Sequence, residues 1–202
     1  MSVTIYIEGG GDGASLDARF REGWATFFER AGLQGRMPRI VRGRGRKSTW
    51  DLFTNARANR HPDRLPLLLL DSEDVPTAGH SAWQHLKVRE QDGWNKPVSA
   101  GDHDAFLMVC AMETWFIADR PGLRAFFGQH FRDTAIPKWP DLEAVPRLAI
   151  FEALKNATAA CPNRGYSKGR VSFKLLAAID PFTVEKNCQA ARLLLNRLRS
   201  LK

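Results

Sequence analysis

The stretch "RLPLLLLDSED", residues 64–74, constrains the fold of this chain more than any other. Leu67, Leu68, Leu69 and Leu70 follow one another without polar alternation, as expected of a strand that has no solvent face. Such a strand belongs inside a sheet covered by helices on both sides. The run then stops on Asp71, with Glu73 and Asp74 close behind. In open parallel sheets, ligands sit beyond the carboxyl ends of the strands. The acidic residues therefore fall where chemistry is expected.

The rest of the chain fits a strand–helix alternation. Residues 3–7 alternate and carry β-branched side chains, so they read as a strand that ends on Glu8, with the glycines of "GGGDG" following. Leu16, Phe20, Trp24, Phe27 and Phe28 recur at three- and four-residue steps and predict a helix over 14–31, stopped by Gly32. Residues 36–41 form a shorter strand. "GRGRKSTW" reads as a basic loop, with Ser48 capping a helix over 50–59. Residues 75–103 hold scattered prolines and glycines and read as an excursion with a short helix over 82–88. A strand over 105–112 leads into a helix that restarts near Pro121. Residues 132–146 are broken by prolines and read as loop. Helices are expected over 147–160 and 184–201.

These elements predict an α/β fold: a Rossmann-like parallel sheet with helices on both faces and a C-terminal helical extension. The core is expected over 1–130, with the irregular insertion at 75–103, and residues 131–202 as a mainly helical part packed on it. The chain has 202 residues and is 44% hydrophobic, enough for one substantial core. Its three cysteines, Cys110, Cys161 and Cys188, are widely spaced and form no CxxC pair, so neither a zinc knuckle nor a disulfide framework is expected. No apolar run reaches the length of a membrane span, and Glu8 interrupts any signal-peptide pattern. A cytoplasmic setting without membrane contact is the expectation.

The net charge is +8. Arg36, Arg39, Arg42, Arg44, Arg46 and Lys47 crowd one segment; Arg164, Lys168, Arg170 and Lys174 form a second. Each group alone is as consistent with a solvated surface as with a ligand site. Beside a carboxylate cluster, the two groups point to nucleic acid, because phosphate contacts are mostly made by Arg and Lys.

The acidic constellation is Glu8, Asp71, Glu73, Asp74 and Glu113, each placed near a predicted strand end. In extended backbone Asp71 and Glu73 point to one side. Converging carboxylates repel, and a hard divalent cation would neutralise them; Mg²⁺ takes one or two carboxylates plus waters and phosphate oxygens. The glycines after Glu8 allow a phosphate backbone to come close. Bland roles compete with these: turn former for Glu8 and Asp74, buried ion pair or helix cap for Glu113, loop lysine for Lys168, core cover for Tyr166. "GGGDG" matches neither GxGxxG nor a P-loop, and no GxSxG elbow or Cys–His constellation occurs. His80, His85 and His103 follow no zinc spacing and read as surface residues. Trp24, Trp50 and Trp115 read as core.

"YIEGGGDG", a long helix, and then "LLLLDSED" resemble the Toprim domain, the metal-binding fold of topoisomerases, bacterial primases and the overcoming-lysogenisation-defect nucleases. "METWFIADRPGLRAFFG" and "GYSKGRVSFKLLAAIDP" resemble an uncharacterised bacterial family of stand-alone Toprim-related proteins, often encoded beside AAA-type ATPases in phage-defence-like neighbourhoods. The resemblance implies that Glu8 is an acid/base or metal ligand and that Asp71 is the first acid of a DxD pair. Glu73 stands where the second aspartate is expected, and Asp74 is an alternative to it. Glu113 and Lys168 match positions of the smaller family.

The expectation is therefore a nuclease dependent on Mg²⁺ (or Mn²⁺). Its catalytic residues would be Glu8, Asp71, Glu73 and Lys168, and its metal ligands Glu8, Asp71, Glu73, Asp74 and Glu113. Arg42, Arg44, Arg46, Lys47 and Arg170 would hold nucleic acid. Such a nuclease would be the effector of an ATPase-linked phage-defence system. The alternative is a non-catalytic, Toprim-like regulatory subunit of an ATPase complex. A basic RNA-binding protein with structural carboxylates is a third reading.

Overall fold

The computed structural model describes residues 2–10, 13–59, 61–162, 165–169 and 171–201. Its centre is a parallel sheet of β1 (Ser2–Glu8), β2 (Arg39–Gly43), β3 (Arg64–Asp71) and β4 (Ala105–Met108), in the order β2-β1-β3-β4. All pairings are parallel, with Ile7 opposite Leu69 and Asp71 opposite Met108. From Leu65 to Asp71 every residue of β3 is buried, as the leucine run demands.

Alternation along the strands separates two cores. Ile5, Ile7, Leu67 and Leu69 join a large cluster with α1 (Ala14–Phe28) and the helices of the C-terminal half. Trp24 and Trp115 pack edge to face at its centre. Leu68 and Leu70, with Tyr6 alongside, face a smaller cluster formed with Phe53 of α2 (Arg46–Ala58) and Trp83 and Leu86 of α3 (Ala82–Val88). The same parity sends Glu8 toward the small cluster and Asp71 toward the large one. The two acids thus leave opposite faces of adjacent strands at one edge.

Several boundaries differ from the expectation, for local reasons. The basic stretch after β2 is not a loop: α2 starts at Arg46 behind Gly45, and Ser48 lies inside its first turn. This start is possible because Gly43 lets Thr49 close over it; a Cβ on Gly43 would lie 1.8 Å from Thr49 Oγ1. The strand expected over 105–112 stops at Met108, because Cys110 takes a positive φ of 61° and the chain turns into α4 (Glu113–Ala118) and α5 (Arg120–Phe127). The prolines of 132–146 leave only short turns. After α6 (Arg147–Thr158) and α7 (Ser172–Ala178), the single helix expected over 184–201 is two: α8 (Pro181–Asn187) and α9 (Gln189–Ser200). They meet at Cys188, whose φ of −129° is extended. The C-terminal helices share the large core with the sheet.

Gly43→Ala is expected to cost about 1–3 kcal/mol or more through overpacking against Thr49. Gly10, where an added Cβ would meet nothing within 4 Å, is the control. Thermal unfolding of the two alanine variants should show a loss of several degrees for Gly43→Ala and little change for Gly10→Ala.

Candidate active site

Glu8 and Asp71 end neighbouring strands and line one pocket of about 570 Å³, together with Glu113, Lys168, Arg147 and Ser172. Asp71 is buried. Its Oδ1 accepts the Met112 N–H at 3.0 Å, and its Oδ2 lies 3.9 Å from Lys168 Nζ. Burial, and then the charges of Glu113 and Glu8, push its carboxyl up to about 7. Glu8 is raised as well, chiefly by burial, against the opposing pull of Arg46.

Glu113 does not end a strand. It opens α4, a few residues beyond Met108 of β4. It is fully buried, accepts the Tyr166 hydroxyl on Oε1, and leaves Oε2 without a partner. Tyr166 also contacts Ser172 at 3.0 Å. Burial and the Glu113 charge raise the Tyr166 hydroxyl far above its ordinary range, so it serves as a donor. Tyr166 is thus more than core cover. Arg147 and Ser172 carry no signal in the sequence, because nothing in their local pattern distinguishes them from ordinary helix-start residues.

Glu73 does not continue the extended geometry of Asp71. Its φ is 67°, a left-handed conformation that side chains rarely adopt, and its carboxylate is paired with Arg147. It still borders the pocket. Asp74 departs from the expected ligand set: its exposed carboxylate is paired with Arg89 at 3.1 Å, on an adjoining groove and away from Glu8. The reason is the left-handed backbone at Glu73, which takes the chain out of the strand conformation.

The first basic group is largely committed to the protein. Arg42, expected on a nucleic-acid surface, has a side chain only 4% exposed, paired with Asp17 and packed over Phe20. Arg46 makes a two-pronged bond to Asp92 at 2.6 and 2.7 Å and reaches Glu8 at 3.3 Å, beneath Trp94. It supports Glu8 from behind the pocket and is not an open phosphate contact. Arg44 and Lys47 remain exposed, with Asp17 and Asp51 near them. Arg164 and Arg170 lie outside the described residues. The glycine after Glu8 has a structural cause: a Cβ on Gly9 would lie 2.7 Å from Phe20. Gly10 borders the open pocket. His85, expected at the surface, is buried and bonded to the Ser72 carbonyl at 2.9 Å. The three cysteines are buried thiols, and burial pushes Cys110 up to about 11.

The donor set suits a hard cation: carboxylate oxygens, two carboxyls with raised affinity for a proton, and one buried oxygen without a partner. Among the described residues no three His, Cys, Asp or Glu side chains form a ready-made metal cage. A cation here would be held by two carboxylates and completed by water or phosphate oxygens, the mode usual for Mg²⁺.

A parallel α/β sheet with an acidic pocket at its carboxyl edge defines the class of this protein. Residues 7–199 match the family described as "Domain of unknown function (DUF4276)", and the chain belongs to it. No curated protein and no solved structure matches the chain. Among the described residues, no helix is long and apolar enough to cross a membrane.

A carboxyl whose folded pKa is raised holds its proton longer than the unfolded chain does. Its contribution to stability is full below about pH 4 and is lost as pH rises through about 7. Asp71→Asn keeps an oxygen for the Met112 N–H and removes that loss. In metal-free buffer the variant should melt above the parent at about pH 8 and close to it at about pH 4, as read by thermal denaturation.

Proposed function

We propose that this protein is a metal-dependent nuclease of Toprim type that hydrolyses phosphodiester bonds of DNA or RNA. The observation that carries this reading is the meeting of Glu8, Asp71, Glu113 and Lys168 in one pocket at the carboxyl edge of the sheet. Asp71, with Glu8 or Glu113, would hold Mg²⁺ or Mn²⁺. When bound, such an ion polarises a phosphodiester and lowers the pKa of an attacking water.

The chain's own residues do the positioning. The Met112 N–H fixes the Asp71 carboxylate, and Tyr166 fixes Glu113. Arg46 anchors Glu8, whose carboxyl is raised by burial and so is placed to accept a proton more readily than an exposed glutamate. The Lys168 amine is exposed and borders the pocket, placed to meet a phosphate oxygen and offset developing charge. Arg44 and Lys47 supply outlying positive charge.

Purified protein should cleave oligonucleotides only with divalent metal. Asp71→Asn and Glu8→Gln should each lower the rate at least about a hundredfold with the fold intact by circular dichroism. Mn²⁺ should raise the melting temperature of the parent and not of Asp71→Asn. Undiminished cleavage by both variants would refute the proposal.

The second reading is a regulatory subunit docked on an AAA-type ATPase, within a phage-defence system. It is favoured by the Glu73–Arg147 pair, which withdraws one acid from the site, and by Phe182 and Leu193, exposed on α8 and α9. It predicts a stable complex with the ATPase that never cleaves nucleic acid, whatever metal is added.

A further inference from the structure

A second groove, of about 780 Å³, opens directly beside the acidic pocket. The two share a wall made of Glu73, Arg147 and Lys168. Its lining comes from the turn after β3, from Arg89 paired with Asp74 of that turn, from the first turn of α6, and from Lys168. Among the described residues its lining holds Arg89, Arg147 and Lys168 against two carboxylates, Asp74 paired with Arg89 and Glu73 paired with Arg147.

Two of those cations are held together by one ring. The Arg147 guanidinium and the Lys168 amine each lie 5.5 Å from the centre of Phe151, one helical turn into α6. The ring quadrupole attracts both cations and holds them at the wall shared by the two cavities. Leu148, 70% exposed, forms the lip of the groove and offers an apolar surface beside them. Cations beside an aromatic ring, here Arg147 and Lys168 at Phe151, are the elements that proteins combine to bind single-stranded nucleic acid. A cavity of this size takes a ligand of nucleotide dimensions.

The cations are engaged in the free protein. Arg147 is paired with Glu73, and that pairing coincides with the strained φ of 67° at Glu73. A phosphate in the groove competes with Glu73 for the same guanidinium, whose planar fork matches phosphate as well as it matches carboxylate.

We propose that this groove carries the phosphate backbone of a single strand next to the bond being cut, and that Arg147 exchanges Glu73 for a phosphate when the strand arrives. The proposal rests on the nuclease reading for its orientation, but strand binding is measurable without cleavage.

The experiment is fluorescence-anisotropy titration of a labelled twelve-nucleotide oligothymidylate, and of its uridylate counterpart, with the full chain in EDTA. Arg147→Gln should weaken binding about tenfold and reduce the slope of log affinity against log salt by about one. Glu73→Gln, which removes the competing carboxylate, should strengthen binding severalfold. Arg64→Gln should leave binding unchanged; Arg64 starts β3, roughly 23 Å along the strand from Asp71. Arg147→Gln binding as tightly as the parent overturns the proposal, as does equal weakening by Arg64→Gln. So does a matched duplex that binds more tightly than the single strand. If the groove variants behave as expected and the parent still cleaves nothing with Mg²⁺ or Mn²⁺, the nuclease reading fails and the groove assignment stands.

Discussion

Removing a carboxylate from water costs several kcal/mol unless charge or hydrogen bonds compensate, and this protein does so at Asp71 with two more acids nearby. The Met112 N–H and a lysine at 3.9 Å only partly offset that cost, so the carboxyl retains a proton to about pH 7. A protein core selected for stability alone would place a leucine there, continuing the run that precedes it. The tension at the end of β3 organises what surrounds it: Arg46 leans on Glu8, Tyr166 holds Glu113, and Lys168 faces Asp71.

The sheet turns this local tension into a site. Parallel strands all end at one edge, and β1 and β3 are neighbours. Their terminal acids leave opposite faces, so each is supported by a different layer. The α2 side supplies Arg46, with Asp92 and Trp94 behind it. The C-terminal half supplies Glu113 at the start of α4, Tyr166 from the loop before α7, and Ser172 at the start of α7. Among the described residues the pocket is lined from the strand ends, α1 and the C-terminal half, while the α2 side only braces Glu8 from behind.

Two arginines within the basic composition illustrate how far net charge is from function. Arg42 and Arg46 sit in a segment dense in positive charge, and both are engaged by internal carboxylates. Arg147, with no basic cluster around it in the sequence, ends up between the acidic pocket and the neighbouring groove. Charge counts predict the sign of a partner; placement decides which charges meet it.

The amino-acid sequence alone determined the parallel sheet, the two strand-end acids and most helices, because these follow from short-range patterns: a leucine run, an alternating strand, apolar residues at helical spacing. It also revealed the glycine behind Glu8, though its cause is the close packing of Phe20. Tertiary structure decided what depends on turns and long-range approach. The left-handed backbone at Glu73 and Cys110 redirected Glu73 and Asp74 and ended β4 early. The meeting of Glu113 with Tyr166, 53 residues apart, has no local signature. Spacing along a chain fixes which face a side chain leaves by, but which partner it finds is settled only when separate elements pack.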